Sequence, residues 1–269
     1  MRASAPQALI VGGGIAGLAS ALSLGRQGWR CTILERDPQR NRPGQGVLLP
    51  PCGRRAMERL GLAEIERFCA PIHCFELCNA DGSTRERFAI NGALSVLHRD
   101  LITALERAQP ANTQLVTSRC LALEPASGGS WQVVCDDQQR RQADLIVAAD
   151  GVGSLCRRRL FPHAQLSEER TTELLLVIEA PDLAAALQGH CRKFHNDCSG
   201  LALGLLPCIN GQVIVFAQFA TARHGPHNDT DPNALLRRCF GGWNALLDAL
   251  LSEIDKGCGR LWHTTDLDP

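Results

Sequence analysis

Tyrosine is absent from this chain, and aromatic residues make up only 4% of its 269 residues. No network of phenolic hydroxyls can be built within it, so whatever it binds is held by other groups. An excess of charge of either sign is missing too, since 28 basic residues balance 28 acidic ones. That balance leaves no electrostatic footprint for nucleic acid or for an anionic membrane surface. Repeats, low-complexity tracts and long hydrophobic spans are also lacking. The one uncharged stretch, residues 8–25, has only Arg2 as a charge before it, is interrupted by glycines and runs on into ordinary globular sequence. It reads as the buried start of a domain rather than a signal segment or a membrane span. A cytoplasmic protein with no membrane or nucleic-acid partner is expected.

Cysteine is abundant, with thirteen residues, yet no C-x-x-C and no disulfide-framework spacing occur. An odd count without an export signal points to free thiols in a reducing compartment. Cys31, Cys120, Cys135 and Cys208 lie in apolar runs, where a thiol behaves as a small hydrophobe. His190, Cys191, His195 and Cys198 place four soft ligands close together, but their spacing fits no metal-binding pattern. Cys69, Cys74 and Cys78 make a weaker set still. No metal is expected.

What is present is concentrated near the amino terminus. ALIVGGGIAGLASAL, residues 8–22, sets Gly12, Gly14 and Gly17 as G-x-G-x-x-G between a β-branched run and an Ala/Leu-rich helix. Gly12 permits a tight strand-to-helix turn, Gly14 lets backbone approach a pyrophosphate, and Gly17 lets the helix pack closely on the strand. The amides of Gly14, Ile15, Ala16 and Gly17 would face a diphosphate at the positive end of the helix dipole. Glu35 closes the next strand, CTILE, where it can accept hydrogen bonds from both ribose hydroxyls of an adenosine; Arg36 beside it joins the candidate site. The plain alternative is a glycine-rich turn that binds nothing. Strand, glycines, helix, second strand and acid in this order favour an adenine dinucleotide.

Further along, the spacing predicts helices over 15–27, 53–68, 98–109 and 232–254. It predicts strands over 8–12 and 31–35, a hairpin of 72–79 and 84–90 around Asp81-Gly82, and strands over 114–118, 119–125 and 131–136. A buried strand at 144–149 follows, then β runs at 171–179, 190–195, 201–207 and 212–219. The fold expected is α/β, with a Rossmann-like dinucleotide domain (1–70 and 98–164) interleaved with a β-sheet domain of α+β character (71–97 and 165–262).

Residues 144–157, DLIVAADGVGSLCR, end that strand in Asp150-Gly151, followed by Ser154 and Arg157. Here the chain resembles the class A flavoprotein monooxygenases, the aromatic hydroxylases of the salicylate and para-hydroxybenzoate hydroxylase kind, whose second fingerprint is D-G-x-x-S-x-x-R. His98-Arg99-Asp100-Leu101 is similar to the family's H-R-x-x-L, and 35–50 with 54–62 are similar to its run after the first acid. The resemblance implies FAD as cofactor, with Asp150 and Gly151 near its pyrophosphate and ribose and Arg99 in contact with it. It places a flavin-adjacent loop near Arg42–Gly46, although Pro51-Cys52 stands where the family commonly has Pro-Asn. It further implies NAD(P)H as co-substrate and oxygen transfer to a small organic, aromatic substrate through a flavin C4a-hydroperoxide. Phe194, Phe216 and Phe219 are candidates for the substrate wall, with ordinary core packing as their alternative. No catalytic acid or base is assigned, because the cofactor carries the chemistry.

The family continues into a G-D-A-A-H motif that this sequence does not supply. Asp266 and Asp268 have no preceding glycine, and no strand is expected to lead into them. The expectation is therefore a chain that carries the adenosine half of the site, with a complementing chain or a homo-oligomer as possible partner. A non-oxygenating FAD oxidoreductase and an inactive fragment are the alternatives.

Overall fold

The computed structural model describes residues 5–37, 39, 45–224 and 231–267. Its first stretch runs β1 (Gln7–Val11), α1 (Ile15–Arg26), β2 (Arg30–Glu35), β3 (Gly46–Leu49), α2 (Pro51–Arg59), β4 (Cys69–Asn79), β5 (Thr84–Leu97) and α3 (His98–Arg107). Then come β6 (Thr113–Thr117), β7 (Cys120–Pro125), β8 (Trp131–Cys135), β9 (Arg140–Gln142), β10 (Leu145–Ala148) and α4 (Leu155–Leu160). The last stretch adds β11 (Thr171–Glu179), α5 (Pro181–Leu187), β12 (His190–Asn196), β13 (Leu201–Pro207) and β14 (Gln212–Ala220). It closes with α6 (Thr221–His224), α7 (Pro232–Phe240), α8 (Ala245–Glu253) and β15 (Cys258–Thr264).

Three sheets result. A parallel sheet has the order β10-β1-β2-β6, a mixed sheet the order β15-β11-β14-β13-β12-β4-β5-β3, and a small meander the order β7-β8-β9. α1 and α3 cover one face of the parallel sheet through Leu18, Leu22, Leu101 and Leu105. The meander covers the other face, with Leu123 and Val133 against Leu9, Val11 and Leu34. The chain reaches β10 only after that meander. β10 then pairs with β1, Ala8 opposite Leu145 and Val11 opposite Ala148. Gln7, at the foot of β1, also donates its amide to the Asp144 carboxylate at 2.8 Å, 137 residues later.

The eight-stranded sheet buries its two faces differently. On one, Leu174, Leu176, Phe194, Leu203 and Phe219 pack beneath α5, α7 and α8. Phe219 meets Phe240 edge-on at 5.7 Å. Phe194 and Phe219 are thus core residues, which corrects their candidacy for a substrate wall; strand alternation sends both under the helices. Phe216 stands on the opposite face, lying over Gly204, where an added Cβ would come within 1.8 Å of its ring.

Several expected elements are revised. The helix read over 232–254 is two helices, because Gly241 turns extended, Gly242 takes φ +74°, and Asn244 caps α8 by accepting the Leu247 amide at 3.1 Å. The helix read over 53–68 stops at Arg59; Gly61 at φ +66° turns the chain, and a separate 3₁₀ helix, Ala63–Phe68, follows. The strand read as buried at 144–149 is an edge strand that pairs on one side only among the described residues, leaving Leu145 exposed. A strand does lead toward Asp266: β15 pairs antiparallel with β11, and Leu267 bridges to Leu166. Its alternation was hidden by the short polar run around Trp262. Arg42 to Gly44 of the expected flavin-adjacent loop, and Asp268, lie outside the described residues.

One buried charge ties two stretches of the large sheet together. Glu76 on β4, 1% exposed, takes Arg87 at 2.6 Å, Arg192 at 2.7 Å and the His190 Nδ1 at 3.1 Å. Burial alone would push its carboxyl up, but Arg192, His190 and Arg87 together hold it below the usual carboxylate range. The stabilisation is fully present above an unfolded glutamate's pKa of about 4.3 and is lost as pH falls through the lower folded value. Glu76→Gln should lower the unfolding free energy by about 1–2 kcal/mol at neutral pH, because it removes the charge that Arg192, His190 and Arg87 stabilise while water still solvates the exposed Arg87. Urea titrations should show the gap between variant and parent closing as the pH is taken below that range.

Candidate functional site

The four parallel strands end together. Their carboxyl ends deliver Val11-Gly12, Leu34-Glu35-Arg36, Ser118-Arg119 and Ala149-Asp150 to one cavity of about 470 Å³. In open α/β sheets that edge is where ligands bind. A larger cleft of about 750 Å³ lies at the strands' amino ends, beside Gln7, Arg30 and Thr113, where α1 presents its carboxyl end. The dipole argument favours the smaller cavity for an anion.

The glycines do what their positions require. Gly12 takes φ +107°, and a Cβ there would lie 2.2 Å from the Ala149 carbonyl oxygen. A Cβ on Gly17 would lie 1.8 Å from the Gly12 carbonyl oxygen, so α1 starts hard against the end of β1. At Gly14 a Cβ would meet nothing within 4 Å. Gly14 caps α1 without a side-chain hydrogen bond, and no acid occupies the first turn. The amides of Ile15, Ala16 and Gly17 belong to the first turn, whose donors the helix's own ladder does not use, so this helix start suits a phosphate.

Glu35 sits at the turn's other wall. Its carboxylate accepts the Gly13 and Asp37 amides, each at 2.8 Å. Each oxygen keeps a further lone pair for a ligand hydroxyl. Asp150 is occupied more fully than the sequence suggests. Its carboxylate accepts the Ser154 hydroxyl and the amides of Leu155 at 2.7 Å and Cys156 at 3.1 Å. Burial would raise its pKa, but these hydrogen bonds outweigh it and hold the group below the ordinary carboxylate value. Ser154 itself accepts the Arg157 amide at 2.9 Å. In this chain the D-G-x-x-S-x-x-R pattern therefore builds the start of α4 as well as a wall of the cavity.

Of the candidate residues, Gly12, Gly14, Glu35, Arg36, Asp150 and Gly151 line the cavity. Ile15, Ala16 and Gly17 follow in the first turn of α1. Arg99 is not in that wall: it lies in the first turn of α3, beside the hydrogen bond from His98 to the Gln45 carbonyl, with its Nε 3.7 Å from Asp100. Ser118, Arg119, Leu121 and Arg158 line the cavity without having been singled out from the sequence, and Cys120, read there only as a small hydrophobe, lines it too. The usable signal was the carboxyl end of β6, which as a parallel neighbour of β2 had to finish at the same edge.

The soft-ligand group does not assemble. Alternation along β12 sends His190 toward Glu76 and Cys191 to the opposite face. Cys74, Glu76 and His190 do bring ligand atoms within 4.8 Å of one another, but Arg87 and Arg192 already neutralise the carboxylate between them.

Comparison with known proteins assigns the chain to a family. The FAD binding domain family matches residues 6–239, and the chain belongs to that family. Similar proteins include the FAD-dependent monooxygenase ctvC of Aspergillus terreus, 31% identical over 171 residues covering 60% of this chain and 36% of that protein. A probable 2-heptyl-3-hydroxy-4(1H)-quinolone synthase, AqdB2 of Rhodococcus erythropolis, is 34% identical over 56% of this chain and 40% of its own length. The matched region thus spans well under half of these relatives. Among solved structures, Klebsiella pneumoniae HpxO complexed with FAD and uric acid superposes with a TM-score of 0.82 at 20% identity, covering 98% of this chain and 69% of that one. A tetrameric form of 2-methyl-3-hydroxypyridine-5-carboxylic acid oxygenase gives 0.80 at 20% identity, covering 99% and 72%. FAD is the cofactor of this family.

The contrast between two glycines tests the site. Gly14→Ala should leave the melting temperature unchanged and weaken FAD binding by about tenfold or more, roughly 1.4 kcal/mol. Gly17→Ala should instead destabilise the fold by about 1–3 kcal/mol, because its Cβ meets backbone that cannot yield. Thermal melts and fluorescence titrations of both variants would separate the two effects.

Proposed function

We propose that this chain is the dinucleotide-binding and substrate-sheet portion of an FAD-dependent monooxygenase that uses NAD(P)H and O₂ to oxygenate a small organic, aromatic substrate. The observation that carries the reading is the convergence of four parallel strand ends on a cavity with Glu35 on one wall and an open helix start on the other. The amides of Ile15, Ala16 and Gly17 would hold the pyrophosphate, Glu35 the adenosine ribose, and Arg36 the charge beside it. Asp150 and Gly151 would bound the ribose and pyrophosphate, and Arg99 would reach the cofactor from the start of α3. Bound FAD would supply the redox and oxygen-activating chemistry. The protein's own task is to position the partners and exclude water.

The large sheet offers the substrate a surface on the face opposite α7 and α8. Phe216 stands there, with Lys193 in register across Gly204. The division of the chain that fits this reading is a dinucleotide domain, 1–70 and 98–164, interleaved with a sheet domain, 71–97 and 165–262. The edge of β10 that is unpaired among the described residues, with Val152 and Phe161 exposed, supports completion of the site by further polypeptide, in the same or another chain.

Titrating the purified chain with FAD and passing it through gel filtration tests the proposal. Flavin absorbance should travel with the protein, and ADP should compete for it. NAD(P)H oxidation matched by O₂ uptake and product formation would mark oxygenation, whereas O₂-independent turnover would assign a non-oxygenating oxidoreductase. Flavin lost on the column, with no ADP competition, would sink the reading.

A further inference from the structure

The eight-stranded sheet carries a cavity of its own, on the helix-covered face and away from Phe216. It holds about 140 Å³, well above the roughly 10–15 Å³ that one water needs. The strand registers build its floor. Arg87 and Arg192 stand directly opposite Glu76 on either side, and Thr84 and Phe194 flank Cys78 in the next row. The start of α8 roofs it with Asn244 and Leu246. We propose that this cavity binds a small monocarboxylate, held by Arg192 and Arg87, at a site separate from the dinucleotide cavity.

The charges in the cavity do not balance. One carboxylate faces two guanidiniums, and no other charged side chain lines it among the described residues. Glu76 is already spent, its Oε1 taking Arg87 at 2.6 Å and His190 at 3.1 Å. Arg192 approaches Oε2 at 2.7 Å through Nε, but out of line for a hydrogen bond, so this buried N–H is unsatisfied. The remaining donors of its planar fork have no partner among the described residues either. Arg87, whose side chain is 61% exposed, has donors to spare beyond the one on Glu76. Donors left unmade in a partly buried place are costly, and a carboxylate is the acceptor whose two oxygens match a guanidinium fork.

The other half of the cavity selects the class of anion. Cys78 and Phe194 are each 2% exposed there, and Leu246 closes over them. Asn244 brings no spare group, because its side chain accepts the Leu247 amide and donates to the Ala80 carbonyl. The ligand therefore needs one charged end and one short apolar end. Inorganic phosphate would press charged oxygens against Cys78 and Phe194 without donors to meet them. A neutral amide would leave the excess positive charge unmatched. A bound acid would tie the β4–β5 hairpin, β12 and α8 together, and so stabilise the fold by mass action.

The test titrates the full chain with sodium propionate at constant ionic strength, without FAD and then with it. Propionate should bind with a Kd below about 1 mM by calorimetry, raise the melting temperature saturably and shift the Arg192 Nε–H resonance. Propionamide should do none of these, and phosphate should bind at least about tenfold more weakly. Arg87→Gln, at an exposed position, should keep the fold and weaken propionate about tenfold. Glu76→Gln with Arg192→Gln removes one buried charge of each sign together, and this double variant should lose propionate binding. No saturable binding, a stabilisation that propionamide or chloride reproduces, or a folded variant of either kind that binds propionate as the parent does, would overturn the site. Phosphate binding as tightly as propionate would overturn the carboxylate assignment. Propionate displaced by FAD would overturn the separation of the two cavities.

Discussion

The contact on which the site depends is the approach of α1 to the end of β1. Gly17 stands so close to the Gly12 carbonyl that no side chain fits between them, and Gly12 needs a left-handed backbone against Ala149. These two fits fix where the helix begins and hence where its unsatisfied amides point. Everything on the cavity's other walls is arranged around that point. Glu35 is pinned by the Gly13 amide, and the strand that carries Asp150 is held to β1 by the Val11 carbonyl, which accepts the Ala149 amide at 2.8 Å.

A second constraint governs the large sheet. Its helix-covered face is an ordinary core, dominated by leucines and by the Phe219–Phe240–Trp243 stack. Yet Glu76 is buried at its edge, matched by arginines from β5 and β12. Such an ion pair adds little net stability compared with apolar packing, but a shifted register would separate the charges. It fixes how β4, from the first half of the chain, sits beside β12, from the second.

Much of this was legible in the residues. The first turn announces itself because glycine is demanded by backbone geometry, and the β runs of the large sheet follow their alternation closely. The helix breaks at Gly61 and Gly241-Gly242 were equally visible as residue types, but an apolar period running through them masked the turns. The edge position of β10 was not legible: an apolar run such as DLIVAA looks the same in the middle of a sheet as at its margin. The same holds for Phe194 and Phe219, whose face depends on which side the helices cover. The capping work of Asp150 was hidden because a carboxylate at a strand end suits a ligand and a helix start equally well.

The pairing of β1 with β10 also bears on how the chain reaches its fold. The first strand finds one of its two neighbours at once, in β2 across a single helix, but the other arrives only with residue 145. Closing so long a loop costs entropy before the ladder repays it, and such non-local parallel pairing is a slow event. During synthesis β1, α1 and β2 stand with an unpaired flank until the meander and β10 have emerged. The cavity, whose walls come from both ends of that interval, is therefore among the last parts of the parallel sheet to be assembled.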